Sequence, residues 1–304
     1  MQKLKSYLGW KVDFTTPEGE AAYAAPDSVS WRVFKNPIAL AIGGVAAVLL
    51  EFADARIRSG VWDHSVFKTD PIGRSQRTGM AAMVGVYGPA SAARRIIQGV
   101  TNMHAKVEGT TPSGEAYKAL DVELLDWVSA TAGYGFLTAY DRFVQPLSYE
   151  EKCRFYEEGV DVARLYGVES PLRKPEDFDA MLAGLLPRFE PHPINTEFLD
   201  IIKSGQAARN VPKALHRALA NASVSILPSS VRDRLELGKE YNLNPVSALA
   251  VKAMGRVAEH TPVKGSPPAD AAVRLGLPWN FAWKSESAKA RLMAEHGAAQ
   301  VAAE

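Results

Sequence analysis

The stretch PASAARRIIQGVTNMHAKV, residues 89–107, decides the fold class of this chain. Its apolar residues recur at the three- and four-residue intervals of an amphipathic helix; they are Ala93, Ile97, Val100 and Val107. His104 falls on the same stripe, so we expect its imidazole to face the protein core. A buried imidazole needs a partner, because an unpaired polar group in an apolar interior costs on the order of a few kcal/mol. Two interpretations stay open: a core histidine bonded to a carbonyl or carboxylate, or a ligand of an iron atom.

The same helical period continues through most of the chain, and no strand alternation interrupts it. The clearest segments are residues 38–58, 72–86, 89–108, 121–144 and 148–166. Shorter helices are expected near residues 175–186, 194–203, 211–221, 228–238 and 245–258. Ser148 and Glu151 form the capping-box pattern that opens a helix. The pattern as a whole predicts an all-α protein.

The length of 304 residues and the hydrophobic fraction of 47% are sufficient for one large domain or two ordinary ones. We expect a single large helical domain over residues 37–260, with an N-terminal arm at 1–36 and a C-terminal extension at 261–304. A net charge of +1 without a basic block argues against a nucleic-acid surface. The single cysteine excludes an intrachain disulfide, a zinc finger and an iron–sulfur cluster.

The most apolar stretch, residues 38–50, is shorter than the ~20 residues that a membrane-spanning helix needs, and Glu51 follows it. The first residues lack the apolar run and the small-residue cleavage site of a signal peptide. We therefore expect a cytoplasmic protein without a membrane span, for which peripheral membrane contact stays open. Nothing in the sequence sets the oligomeric state.

A cluster of polar side chains opens the predicted helix at 72–86. Arg74, Arg77 and Thr78 fall at positions i, i+3 and i+4, so they share one face with Ala81. Two guanidinium groups beside an apolar face are unfavourable unless they meet an anion or a polar ligand. The face is either solvated and salt-bridged, or it binds an anion or an oxygen species in a pocket.

Two further ionisable residues lie near these helices. Glu51 ends an apolar helix, where it can reach water or pair with one of the arginines. His64 precedes Asp70 in an expected turn, where it can cap the preceding helix, bond Asp63 or line a cavity. Glu51 and His64 are therefore candidates for cofactor contacts, beside their ordinary structural roles.

The predicted helix at 121–144 is rich in aromatic residues, with Gly133 and Gly135 among them. Small residues at these positions allow a neighbouring helix or a flat cofactor to approach closely. Core packing alone also explains the aromatic side chains, so both interpretations stay open.

Several familiar sites are absent from the sequence. It has no dinucleotide-binding glycine motif after a strand, no phosphate loop and no nucleophile elbow. It also lacks the His-Glu-x-x-His and Glu-x-x-His pairs of zinc and di-iron sites. An all-helical protein with one core histidine and an arginine–threonine face leaves haem as the simplest redox cofactor.

Residues 35–190 resemble the catalytic domain shared by latex-clearing protein, a rubber oxygenase, and the MpaB-type oxygenases. The segments that carry the resemblance are LLEFAD at 49–54, GVWDHS at 60–65, DPIGRSQRTG at 70–79, VTNMHAKV at 100–107, YKALD at 117–121 and DWVSAT at 126–131. Each segment is short, and their common order and spacing make the resemblance specific.

The resemblance implies an all-helical fold with a globin-like core and one b-type haem. It implies that His104 is the proximal iron ligand and that Arg74, Arg77 and Thr78 lie on the distal side. Arg77 stands where latex-clearing protein has a lysine, and an arginine keeps its proton and cannot ligate iron. The distal position is then empty, water-filled or held by another group. Ser129 stands where many members have a histidine, so no role of that histidine carries over.

Together these features lead to the hypothesis of a haem b-dependent oxygenase acting with dioxygen on an apolar, unsaturated substrate of isoprenoid or lipid type. Arg77 and Thr78 would donate hydrogen bonds to bound oxygen, and Arg74 would pair with a haem propionate or with Glu51. Alternatives are a peroxidase-like or dehydrogenase haem enzyme, a non-catalytic haem-binding or gas-sensing protein, and a helical interaction protein without a cofactor.

Overall fold

The computed structural model describes residues 6–7, 10–64, 69–205 and 213–301. Within these ranges the chain is predominantly helical, which confirms the predicted all-α class. The helices are α1 (Val29–Phe34), α2 (Pro37–Phe52), α3 (Ala55–His64), α4 (Pro71–Tyr87), α5 (Ala90–His104), α6 (Val122–Phe143), α7 (Tyr149–Leu165), α8 (Pro175–Leu185), α9 (Pro193–Ser204), α10 (Lys213–Ser225), α11 (Ser229–Arg234), α12 (Pro245–Glu259), α13 (Pro267–Arg274) and α14 (Glu286–Val301). The strands are β1 (Ser6–Tyr7), β2 (Trp10–Lys11), β3 (Glu108–Thr110) and β4 (Ala116–Lys118), paired as the antiparallel hairpins β1–β2 and β3–β4.

The helix boundaries follow local capping signals. Ser148 accepts a hydrogen bond from the Glu151 amide, and the Glu151 carboxylate accepts one from the Ser148 amide, which confirms the capping box of α7. Helix α7 ends before Gly167, whose φ of 88° lies in the left-handed region that favours glycine. Asn36 caps α2 by accepting hydrogen bonds from two amides of its first turn.

The helix predicted over residues 38–58 is in fact two helices, α2 and α3, whose axes differ by 112°. Asp54 lies at the bend, and its carboxylate accepts a hydrogen bond from the Arg56 amide at 2.9 Å. The Arg56 guanidinium also donates to both Asp54 carboxylate oxygens, at 3.0 and 2.7 Å. Because Asp54 satisfies a free amide at the start of α3, a new helix begins here instead of a continuation of α2.

Helices α2 and α6 pack backbone against backbone at Gly43 and Gly135. A Cβ atom on Gly135 would lie 2.4 Å from the Gly43 carbonyl oxygen, and one on Gly43 would lie 2.7 Å from the Gly135 backbone. Backbone atoms cannot rotate aside as side chains can, so the crossing requires glycine on both helices. The sequence left open whether a neighbouring helix or a flat cofactor approaches Gly135, and the structure shows a helix there.

The aromatic residues of α6 belong to the core around this crossing. Trp127 is fully buried and donates its indole N–H to the Leu50 carbonyl of α2 at 3.2 Å. Its ring stacks on Phe178 of α8, and Tyr134 stacks on the same ring at a centroid distance of 4.0 Å. Core packing thus accounts for Trp127 and Tyr134.

Residues 108–118 form a β-hairpin, whereas the sequence predicts a loop over residues 110–117. Strands β3 and β4 pair with Gly109 opposite Tyr117, and the Tyr117 ring covers Gly109. Tyr117 is buried, so its aromatic side chain helps to fix the hairpin to the domain. Strands of three residues are too short for an alternating pattern to be recognised in the sequence.

Residues on both sides of 37–260 contribute to the same core. The Arg274 side chain of α13 is only 1% exposed, and its guanidinium donates hydrogen bonds to the carbonyls of Phe14, Glu20 and Tyr87. The N-terminal arm and the C-terminal extension therefore pack on the helical domain. The boundaries assigned to these segments stay a prediction.

Among the described residues, no single helix has the length and apolar composition needed to cross a membrane. Helices α2 and α3 meet those requirements only when taken together, across their 112° bend.

The helix crossing leads to a stability prediction. We expect Gly135→Ala to lower the free energy of unfolding by about 1–3 kcal/mol, because the added methyl group meets the Gly43 backbone and can be accommodated only if the helices separate. Gly159→Ala is the matched control, since a Cβ atom at this exposed position of α7 meets nothing within 4 Å. Alanine there should stabilise the helix by about 0.5–1 kcal/mol. Urea unfolding of both variants measures the difference, and equal stabilities would contradict a backbone-to-backbone crossing.

Candidate active site

The α2–α6 crossing brings Glu51 of α2 next to Thr131 of α6. The Thr131 hydroxyl has one proton and two acceptors within reach: the Val128 carbonyl at 2.8 Å and Glu51 Oε1 at 3.3 Å. The shorter distance favours donation to Val128. Glu51 Oε1 is the more distant of the two acceptors, and donation to it favours the ionised form of the carboxyl group.

Glu51 has a carboxyl group whose pKa lies close to neutral pH. Burial raises the pKa of Glu51 from 4.5 to about 7, while the positive charge of Arg74 and the contact with Thr131 oppose this rise. The charges of Arg74 and Glu51 act on each other through space, and no salt bridge joins these two described residues. Glu51 is therefore the acidic group of the site whose charge changes most readily around pH 7.

Arg74 lies in the first turns of α4 and contacts Thr78 one turn further on. Its guanidinium donates a hydrogen bond to the Thr78 hydroxyl, and that hydroxyl can donate to the Arg74 carbonyl at 3.1 Å. Burial lowers the pKa of Arg74, the negative charge of Glu51 raises it and Arg77 lowers it. Because an arginine keeps its proton, Arg74 brings a permanent positive charge into a half-buried position.

His104 is the last residue of α5, the helix that packs against α4. The apolar stripe that carries it is buried at Ala93 and Ile97 and half-buried at Val100 and His104, so it leaves the core towards the end of the helix. Burial, and to a smaller extent the charge of Arg74, lower the pKa of His104 below 6.5, so the imidazole is neutral at pH 7. Its ring makes no hydrogen bond with any described residue, so no carbonyl or carboxylate among them is the partner that the core-histidine interpretation predicts.

Glu51, Arg74 and His104 share an unusual combination of properties. Each side chain keeps part of its surface accessible, yet burial by surrounding protein is the largest influence on each pKa. The charge of Arg74 acts on both Glu51 and His104, so helices α2, α4 and α5 bring the three ionisable groups into one region of the protein.

The remaining predicted site residues differ in whether they interact with Glu51, Arg74 and His104. Arg77 is half-buried, acts electrostatically on Arg74 and forms no ion pair with any described residue. His64 is exposed at the C-terminal end of α3, and the residues that follow it, 65–68, lie outside the described parts of the chain. Ser129 is half-buried on α6. The structure therefore connects Arg77 to the group through charge and shows no contact between His64 and the group.

Thr131 is the residue of this site that the sequence did not single out. It lies within the DWVSAT segment at 126–131, but 80 positions separate it from Glu51 along the chain. A hydroxyl residue at helical spacing from Trp127 was the only available signal, and it is indistinguishable from an ordinary core threonine. Only the crossing of α2 and α6 shows that Thr131 contacts a carboxyl group.

Most of the chain matches a known protein family. Residues 31–260 match the family described as ER-bound oxygenase mpaB/B'/rubber oxygenase, catalytic domain. The match covers most of the chain, and the chain belongs to this family. Membership indicates an oxygenase. No curated protein and no solved structure matches the chain.

The site geometry leads to a pH-dependent stability prediction. Between pH 4.5 and about 7 folded Glu51 holds a proton that the unfolded chain has released, so the free energy of unfolding falls as the pH rises through this window. Below the window both states are protonated and the effect vanishes. Glu51→Gln cannot ionise, so its free energy of unfolding lacks this decrease with pH. The difference between the variant and the parent protein should therefore shift in favour of the variant across the window, by up to about 3 kcal/mol, and stay constant at higher pH.

Urea unfolding at a series of pH values measures this difference. Glu197→Gln, at an exposed position of α9, is the matched control and should follow the parent protein at every pH. A stability difference for Glu51→Gln that does not change with pH would show that Glu51 is ionised in the folded protein throughout.

Proposed function

We propose that this member of the MpaB and rubber oxygenase family is a haem b-dependent oxygenase that acts with dioxygen on an apolar, unsaturated substrate such as an isoprenoid or lipid chain. The observation that carries the proposal is His104, a half-buried imidazole that has no hydrogen-bond partner among the described residues and lies within the electrostatic influence of Arg74 on the neighbouring helix. The family match supports the oxygenase class, and the haem and the substrate type rest on the site residues and the resemblance.

The donor set at His104 fits a haem. A porphyrin supplies four nitrogen ligands to its iron, so the protein needs to provide only one neutral imidazole. Within the described parts of the chain, no three His, Cys, Asp or Glu side chains lie close enough to hold a metal ion by themselves. A single histidine beside a dehydrated arginine therefore agrees better with a metal inside a macrocycle than with a metal bound by side chains alone.

When bound, the haem supplies the iron that binds and activates dioxygen. His104 would hold the cofactor through one ring nitrogen. Arg74, already dehydrated and positively charged, would hold a propionate or orient the oxygen species. Arg77 has no ion-pair partner among the described residues, so its guanidinium N–H groups are available as hydrogen-bond donors to negative charge that develops on oxygen.

Glu51 provides the proton-transfer group of the proposed site. With a pKa of about 7, its carboxyl group can hold a proton or release it near neutral pH. The Thr131 hydroxyl contacts the carboxyl group and favours its ionised form by donating a hydrogen bond to it. The permanent charge of Arg74 stabilises the ionised form. The cytoplasmic location expected from the sequence is part of the same proposal.

Haem content tests the role of His104. The purified protein, produced with sufficient iron or reconstituted with haemin, should show a strong Soret band, and a pyridine haemochrome assay should identify haem b. His104→Ala should lose most of the bound haem, because it removes the proximal imidazole. His260→Ala, at an exposed position after α12, should retain it. A colourless protein that does not take up haemin would exclude the proposed function.

Oxygen consumption tests catalysis and separates an oxygenase from a haem protein without turnover. With a panel of isoprenoid and polyunsaturated acyl-chain substrates, the haem-loaded protein should consume dioxygen. Arg77→Gln should lower the rate by about a hundredfold at unchanged haem content, since it removes a charged donor from a dehydrated site. Arg95→Gln, on the exposed face of α5, should retain the full rate. Haem binding without oxygen consumption on any substrate would instead assign a sensing or carrier role.

A further inference from the structure

Helix α12 exposes a stripe of apolar residues on its outer face. Val246 is 79% exposed, Leu249 70% and Val257 66%, and the exposed Ala253 lies between the last two. Their spacing of three, four and four residues places all four on one side of the helix. Single exposed apolar residues are common on protein surfaces, but a stripe of this length along one helix indicates an interaction surface.

The opposite face of α12 is firmly attached to the protein. Gly255 packs against the end of α6, where a Cβ atom would lie 2.6 Å from the Phe143 carbonyl oxygen. Glu259 is buried and contacts Lys35 Nζ and the Tyr140 hydroxyl, each at 2.8 Å. The exposed stripe is therefore held in a fixed position by the core, and it can present its side chains without refolding.

Positive charges lie beside the apolar stripe. Lys252 and Arg256 are both exposed, and neither forms an ion pair with any described residue. Glu259 is the acidic residue of α12, and its carboxylate is occupied by Lys35 and Tyr140. The outer face of α12 is thus apolar and cationic, a composition typical of helices that lie in the interface of an anionic membrane.

A surface cavity of about 380 Å³ lies next to the same helix. Three cationic side chains, Arg142, Arg232 and Lys252, line it together with Phe143, Leu243 and Ala248, and no acidic residue lines it. Backbone carbonyls hold the two arginines in place: Arg142 donates to Ser225 at 2.6 Å, and Arg232 donates to two carbonyls of the chain that follows α11. None of the three cations forms an ion pair with a described acidic residue, so the cavity fits a phosphate group.

We propose that α12 binds the surface of an anionic phospholipid membrane. Leu249 and its apolar neighbours enter the boundary between headgroups and acyl chains, and the cavity beside Lys252 receives a headgroup phosphate. Lys252 belongs to both features, so insertion of the stripe brings the cavity to the level of the phosphates. A second copy of this chain fits the face less well, because a twofold contact would bring Lys252 and Arg256 of one copy close to those of the other.

Co-sedimentation of the full chain with lipid vesicles tests this surface. The protein should bind vesicles of phosphatidylcholine mixed with phosphatidylglycerol about tenfold or more tightly than vesicles of phosphatidylcholine alone, and high salt should weaken the binding. Val246→Ser combined with Leu249→Ser should weaken binding by about tenfold or more. Lys252→Gln combined with Arg256→Gln should weaken it by about fivefold for each charge removed.

Two control variants have the same chemistry at other exposed positions. Leu120→Ser combined with Val122→Ser, and Lys118→Gln combined with Arg291→Gln, should bind vesicles as the parent protein does. Circular dichroism and haem content should be unchanged in all four double variants, which keeps this test independent of the haem proposal. Equal binding to both vesicle types, no binding, or unaltered binding of the α12 variants would overturn the proposal. A dimer in light scattering that Leu249→Ser dissociates would also overturn it and assign the face to a second copy.

Discussion

The contact between α2 and α6 at Gly43 and Gly135 is the constraint on which the candidate site depends. With a Cβ atom on either residue, the helices could not approach to this distance. The crossing brings Trp127 to the end of α2 and places Thr131 against Glu51. A carboxyl group in this position lies against α6, and the positive charge of Arg74 acts on it. Its raised pKa follows from the helix packing rather than from any neighbouring acid.

Much of the fold could be predicted from the sequence, because helical periodicity and capping residues are local signals. The capping box at Ser148 and the helices of residues 71–165 illustrate this. The bend at Asp54 could not be predicted, since the apolar period continues across it and only the contact with Arg56 shows that a new helix begins. The hairpin at 108–118 depends on the burial of Tyr117 against the rest of the domain, which is a tertiary effect.

The candidate site was predictable to a similar degree. The spacing of Arg74 and Thr78 on one helical turn predicted their proximity, and the structure joins them by a hydrogen bond. The apolar stripe around His104 predicted an imidazole that faces the core, whereas the structure leaves the ring half-buried at the end of α5, without a hydrogen-bond partner among the described residues. The contact of Thr131 with Glu51 was not predictable, because it joins residues 80 positions apart. Helical periodicity shows which face of its own helix a residue occupies, but it does not show which other helix packs against that face.

The central claim is that the imidazole of His104 binds haem iron. Resonance Raman spectroscopy of the reduced, haem-loaded protein tests it most directly. We expect an iron–imidazole stretching band that shifts to lower frequency when the protein is produced with ¹⁵N-labelled histidine. A haem-loaded protein whose spectrum lacks this band, or whose band is retained in His104→Ala, would show that another group holds the iron and would contradict the account.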